Sequence, residues 1–137
     1  MLPVFRLFRQ NQSQNPSKEN RPMADVETPY ELVMYSRSSG CPYVSLAKRV
    51  LKEEGVPYRE IMIDRDAQAR DLVVGWTGFQ SVPTLVAAQP GSSLPHSGDP
   101  EPLPQGSSPR GIHRGAMITE PSAEELRRWL RDNGFLA

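Results

Sequence analysis

The chain has 137 residues, and its 16 lysines and arginines balance 16 aspartates and glutamates. That length suits one domain around one core, and the neutral balance removes any electrostatic drive toward nucleic acid or an anionic membrane as partner. No apolar run approaches the roughly 20 residues needed to span a bilayer, and the single cysteine, Cys41, excludes an internal disulfide and a thiolate-built zinc site within one chain. A soluble protein of a reducing, cytoplasmic compartment is the expectation.

Residues 1–28 read as a tail. The stretch from Asn11 to Ser17 is polar, rich in breakers and without periodicity. Before it, Met1 to Arg9 carries Leu2, Val4, Phe5, Leu7 and Phe8 with two arginines and no acid. Two readings of that segment stand: the start of an organelle transit peptide, or an over-extended start with translation beginning at Met23.

The domain is expected over 29–137. Leu32-Val33-Met34-Tyr35 is an apolar run of strand length, followed by the loop Ser36 to Gly40. From Pro42 the pattern turns helical, with Tyr43, Leu46, Ala47 and Val50 on one face. Pro42 suits a first turn, and Gly55 with Pro57 beyond it marks the stop. Tyr58 to Asp64 is predicted as a second strand with Ile61-Met62-Ile63 as its buried centre. A second helix follows, opened by Asp66 as N-cap, with Ala69, Leu72, Val73 and Trp76 at helical spacing and Thr77-Gly78 closing it. Val82 to Ala87 is a third strand whose early proline, Pro83, argues for an edge position or a special bend.

From Gln89 to His113 all periodicity breaks, and six prolines are interleaved with glycines and serines. This is a long surface insertion, beyond the about 12–15 residues of ordinary connections. Both histidines, His96 and His113, fall in it without metal-ligand spacing to Cys41. Ala116 to Thr119 gives a fourth strand. Ser122 and Glu125 form a capping box for a last helix that carries Leu126, Trp129 and Leu130 and stops at Asn133-Gly134. The order βαβαββα gives an α/β fold: a mixed four-stranded sheet flanked by three helices. Its first βαβ is parallel and its last two strands pair antiparallel across the insertion.

Chemistry concentrates at Cys41. It stands between a buried strand and the first turn of a helix, where free backbone N–H groups and the helix dipole favour an anion. A thiolate is such an anion, so the position favours the form that attacks disulfides. Arg37 and Lys48 are candidate sources of further positive potential. The local signal alone also fits a cysteine that merely packs as a small hydrophobe.

The wider pattern resembles the glutaredoxin family, a branch of the thioredoxin-like fold. Tyr35-Ser36-Arg37-Ser38-Ser39-Gly40-Cys41-Pro42-Tyr43 is similar to its active-site entry, and Gly78-Phe79-Gln80-Ser81-Val82-Pro83-Thr84 to its second signature. The resemblance implies that Cys41 is catalytic and that the Val82–Pro83 peptide is cis and faces it. It further implies that Arg37, Tyr43, Val82, Pro83 and Ser122 line the site for substrate or glutathione. It covers Glu31 to Ala88 well and Gly115 to Phe135 more loosely. Two positions depart from the family pattern. Its second cysteine falls at Val44, which makes any activity monothiol, through a Cys-Pro-Tyr-Val motif. The glycine pair and acids usual before the last helix are replaced by Thr119-Glu120-Pro121-Ser122, where Glu120 opposes a bound carboxylate.

The expected function is a glutaredoxin-like monothiol oxidoreductase that reduces mixed disulfides. Glutathione or another low-molecular-weight thiol is its co-substrate, disulfide-bearing proteins are its partners, and no metal is required. Two alternatives remain open at this level. One is an iron–sulfur module in which two subunits each give one cysteine. The other is a fold that has lost its chemistry and binds partners through the proline-rich insertion.

Overall fold

The computed structural model describes residues 28–137. The expected tail, with its transit-peptide and Met23-start readings, lies outside the described residues apart from Thr28. In chain order the elements are β1 (Glu31–Ser36), α1 (Pro42–Glu54), β2 (Arg59–Met62) and α2 (Ala67–Thr77). After them come β3 (Thr84–Ala88), β4 (Ile112–His113), β5 (Met117–Thr119) and α3 (Ala123–Asp132). The fold is α/β and thioredoxin-like. Among the described residues the sheet order is β2-β1-β3-β5-β4, with β1 parallel to β2 and every other pair antiparallel.

The sheet has five strands where the sequence predicts four. The extra strand is β4, the end of the insertion, which folds back on β5 so that Ile112 faces Thr119 and His113 faces Ile118. Its two residues are too few to leave a periodic signal. His113 therefore sits on a strand rather than in a loop.

Alternation along the strands divides the core in two. Leu32, Met34, Leu85, Ala87 and Ile118 point to one face, where Ala47, Val50 and Leu51 of α1 and Leu126, Trp129 and Leu130 of α3 cover them. Val33, Tyr35, Val86, Ala88 and Met117 point to the other, against Ala69, Val73 and Trp76 of α2. Three sequence expectations need correction here. The buried face of α1 is Val44, Ala47, Val50 and Leu51, while Tyr43 and Leu46 are only half-buried, because the first turn overhangs the sheet end and carries Val44 into the α2-side cluster. Ile61 and Met62 are half-buried because β2 is an edge strand, and Ile63 alone of the three is fully covered. The edge reading of the third strand fails: β3 is central, and its proline stands just before the ladder begins.

Helix ends follow their local chemistry. Asp66 accepts from the Ala69 N–H at 3.0 Å, and Gly55 closes α1 in the left-handed conformation at φ 69°. At α3 the box is complete. The Ser122 hydroxyl accepts from Glu125 N at 3.1 Å, and Glu125 Oε1 accepts from Ser122 N at 2.8 Å.

The insertion is bound to the domain along its length. Pro95 bridges to Ala88, His96 N donates to Ala87 O at 2.8 Å, and the His96 ring stacks on Tyr30 with centroids 3.8 Å apart. Arg59 donates to Ser92 O at 2.7 Å. The Tyr35 hydroxyl, which burial pushes up to about 12, donates to Ser93 O. Further on, Trp76 Nε1 donates to Asp99 at 3.3 Å and Arg114 Nη2 to Trp76 O at 2.8 Å.

Trp129 anchors the α3 side. It is fully buried, and its indole N–H donates to Gly115 O at 2.8 Å. Trp129→Ala is expected to lower stability by about 3–5 kcal/mol, the range for a deleted core tryptophan, measured by urea unfolding.

Candidate active site

The antiparallel register of β1 and β3 brings the two sequence motifs together. Tyr35 at the end of β1 lies opposite Thr84 at the start of β3, so the loop leaving β1 and the turn entering β3 share one end of the sheet. Cys41 occupies the N-cap of α1, in extended conformation, with Pro42 in the first turn behind it. It is half-buried, outside any disulfide and packed against the α2-side cluster. Its Sγ lies 3.8 Å from Val82 O, so 41 residues of chain close to a single van der Waals contact. The Val82–Pro83 peptide is cis, and both residues are buried.

Hydroxyl groups hold the turn that carries Val82 and Pro83. Thr77 Oγ1 donates to Val73 O at 2.9 Å and accepts from Phe79 N at 3.2 Å, with Ser81 Oγ 3.1 Å away. Thr84 Oγ1 donates to Ser81 O at 2.9 Å and lies 3.3 Å from Thr119 Oγ1. All four hydroxyl residues are buried, and a satisfied buried network of this kind fixes geometry. Pro83 O accepts from Glu120 N at 2.8 Å, which ties the turn to the segment before α3.

On the other side of Cys41, Asp64 pins the approach loop by accepting from the backbone N–H and the hydroxyl of Ser38. The Ser38 hydroxyl bond holds the Asp64 carboxyl below its ordinary value of 3.8. This pin joins residues 26 positions apart, and Asp64 lies outside both family motifs, so sequence reasoning had no signal for it.

The remaining candidates are placed unequally. Arg37 follows β1 half-buried, and its Nε is out of water with no hydrogen-bond partner among the described residues. Tyr43 lies at the rim of the site with the Arg110 guanidinium 4.9 Å from its ring centroid, a cation–π distance. Ser122 caps α3, and both its hydroxyl and its N–H are engaged by Glu125. Lys48 is 3.0 Å from Glu60 of β2, a partner other than the sulfur. Burial pushes Glu60 up, but hydrogen bonds from Ser36 and Lys48 outweigh it and hold the carboxyl below its ordinary range. Val44, in the place of a second cysteine, is buried beside Val82 and Ile63 in the same cluster.

Sequence reasoning missed Arg110. It comes from the far end of the insertion, and its Nε donates to Glu120 Oε1 at 3.3 Å. Nothing in a proline-rich stretch without periodicity signals which residue returns to the site. The charge on Glu120, expected to oppose a bound carboxylate, is thus already compensated.

The glutaredoxin family model matches residues 32–89, the span from β1 through β3 that holds Cys41, Val82 and Pro83. Over that span the chain is similar to the glutaredoxin family. No curated protein and no solved structure matches the chain. The glutaredoxin match stops at the start of the insertion, while the core runs on through β5 and α3. Among the described residues no helix is long and apolar enough to cross a membrane, and no group of three or more His, Cys, Asp or Glu has metal-ligating geometry.

Asp64 generates a pH prediction. Its carboxyl is depressed in the folded state, so its contribution is fully present above 3.8 and is lost as pH falls through the lower folded value. The stability difference between wild type and Asp64→Ala should therefore hold constant from about pH 5 to 7 and close below about pH 4, read from urea midpoints across that range.

Proposed function

We propose that this chain is a monothiol thiol–disulfide oxidoreductase that reduces mixed disulfides, with glutathione or another low-molecular-weight thiol as reductant, in the cytoplasm. The observation that carries the reading is Cys41 at the mouth of α1, with its sulfur 3.8 Å from Val82 O. The sulfur stands at a helix N-terminus, and in this reading the Val82 backbone pairs with a bound, extended thiol ligand.

The chemistry needs one protein thiol. The Cys41 thiolate attacks the low-molecular-weight sulfur of a mixed disulfide, a new S–S bond forms, and the substrate thiolate leaves and takes a proton from water. A second low-molecular-weight thiolate then attacks the Cys41 adduct, releasing the Cys41 thiolate and a small symmetrical disulfide. In the net exchange one free small thiol is consumed and the substrate thiol is released, the other sulfur of the product disulfide coming from the mixed disulfide itself. With Val44 where a resolving cysteine would stand, the adduct waits for the external thiol.

Arg37 and Tyr43 serve in this reading as the cationic and aromatic walls of the substrate cleft, and Val82 and Pro83 as its floor. Ser122 contributes by fixing the start of α3, since its own polar groups are taken up by Glu125.

The test is glutathione-dependent reduction of a small mixed disulfide by wild type and Cys41→Ser. Turnover in the wild type and none in the variant is expected. Equal activity in both, or none in the wild type, contradicts the reading.

A further inference from the structure

A closed ring of contacts leads from Cys41 round to Tyr43. Cys41 Sγ meets Val82 O at 3.8 Å, and the next carbonyl, Pro83 O, accepts from Glu120 N at 2.8 Å. Glu120 Oε1 accepts from Arg110 Nε at 3.3 Å, and Arg110 lies over the ring of Tyr43, two residues from Cys41. Four segments of chain make the ring, and the insertion supplies its outermost member.

At the start of α3 the capping box already engages the N–H groups of Ser122 and Glu125. Glu125 lays its own carboxylate on Ser122 N. Gly111 packs against it so tightly that a Cβ there would stand 3.2 Å from both Glu125 carboxylate oxygens. Gly111 also holds φ +73°, and its N–H donates to Thr119 O at 2.8 Å, which fixes the backbone immediately after Arg110. Within the Arg110–Glu120 pair the exposure is uneven: 64% for the arginine side chain and 15% for the glutamate. The guanidinium has five N–H donors. Glu120 takes Nε, and the two Nη groups have no hydrogen-bond partner among the described residues.

We propose that Arg110 is the specificity-determining residue that binds a carboxylate of the low-molecular-weight thiol, from the insertion side of the cleft, in place of Ser122, whose N–H and hydroxyl are engaged by Glu125. The proposal rests on the mixed-disulfide reading above. A guanidinium fork takes a carboxylate in bidentate fashion. Because Glu120 cancels the net charge, discrimination comes from this short-range pairing rather than from long-range attraction. The Tyr43 ring under the guanidinium holds the fork in place before the ligand arrives, which reduces the entropy lost on binding, while Glu120 occupies one of its donors.

The experiment follows formation of the Cys41 mixed disulfide by mass spectrometry in the full chain. It uses oxidised glutathione, which bears carboxylates, and 2-hydroxyethyl disulfide, which is neutral. In both cases the Cys41 thiolate forms an S–S bond and one small thiolate leaves. The readout is the ratio of the two rates. Arg110→Gln is expected to lower that ratio about tenfold relative to wild type, and Glu120→Gln, which frees the whole fork, to raise it. An unchanged ratio in Arg110→Gln, or a fall in Glu120→Gln, overturns the proposal. This half-reaction is stoichiometric, so it is measured independently of turnover. An Arg110-dependent ratio without catalytic turnover overturns the oxidoreductase reading and leaves the role of Arg110 standing. Turnover with an Arg110-independent ratio does the reverse, and a Cys41 inert to both disulfides overturns both.

Discussion

Pairing of β1 with β3 is the constraint on which the rest of the molecule depends. The two strands run antiparallel over five residue pairs, from Glu31 opposite Ala88 to Tyr35 opposite Thr84. The exit of one and the entry of the other therefore meet at the same edge of the sheet. That geometry places a helix N-terminus and a proline turn side by side, each with an unfinished backbone facing the other. The cysteine occupies the first and Val82 the second. A slip of one residue in this register would exchange the two faces of β3, moving Leu85 and Ala87 out of the α1–α3 layer. The hydrophobic division of the core thus holds the site in register.

Around that fixed contact the supporting groups differ in kind. The β3 side is held by buried hydroxyls (Thr77, Ser81, Thr84 and Thr119), whose bonds are satisfied internally. The Cys41 side is held by an exposed carboxylate, Asp64, on Ser38. A buried network is rigid because breaking it leaves unpaired polar groups out of water, whereas an exposed pin is exchangeable with solvent at little cost. The loop before Cys41 is therefore the more compliant wall of the cleft, and the Val82–Pro83 turn the fixed one.

Much of this architecture was legible in the sequence because it is written in local chemistry. The apolar run of β1, the Asp66 cap, the Gly55 stop and the Ser122–Glu125 box each depend on residues within a few positions of one another, and each stands where local reasoning places it. What was not legible depends on distant partners. The buried face of α1 shifts toward Val44 and Leu51 because the first turn overhangs the sheet end, a fact set by β2 and α2 rather than by the helix. β4 exists only because β5 offers it an edge. The insertion reads as a structureless loop, yet Tyr35, Trp76, Arg59 and Glu120 from four other segments hold it down. Its return to the cleft through Arg110 is a consequence of that tethering.

The central claim is that Cys41, the Val82 backbone and the Arg110 rim form one ligand site assembled by the fold. It is tested most directly by amide chemical shifts of the full chain before and after Cys41 is converted to its glutathione mixed disulfide. The account predicts shifts at Cys41 and Tyr43 together with Val82, Thr84, Arg110 and Gly111, segments that share nothing but the walls of the cleft. Shifts confined to the immediate sequence neighbours of Cys41 would contradict it.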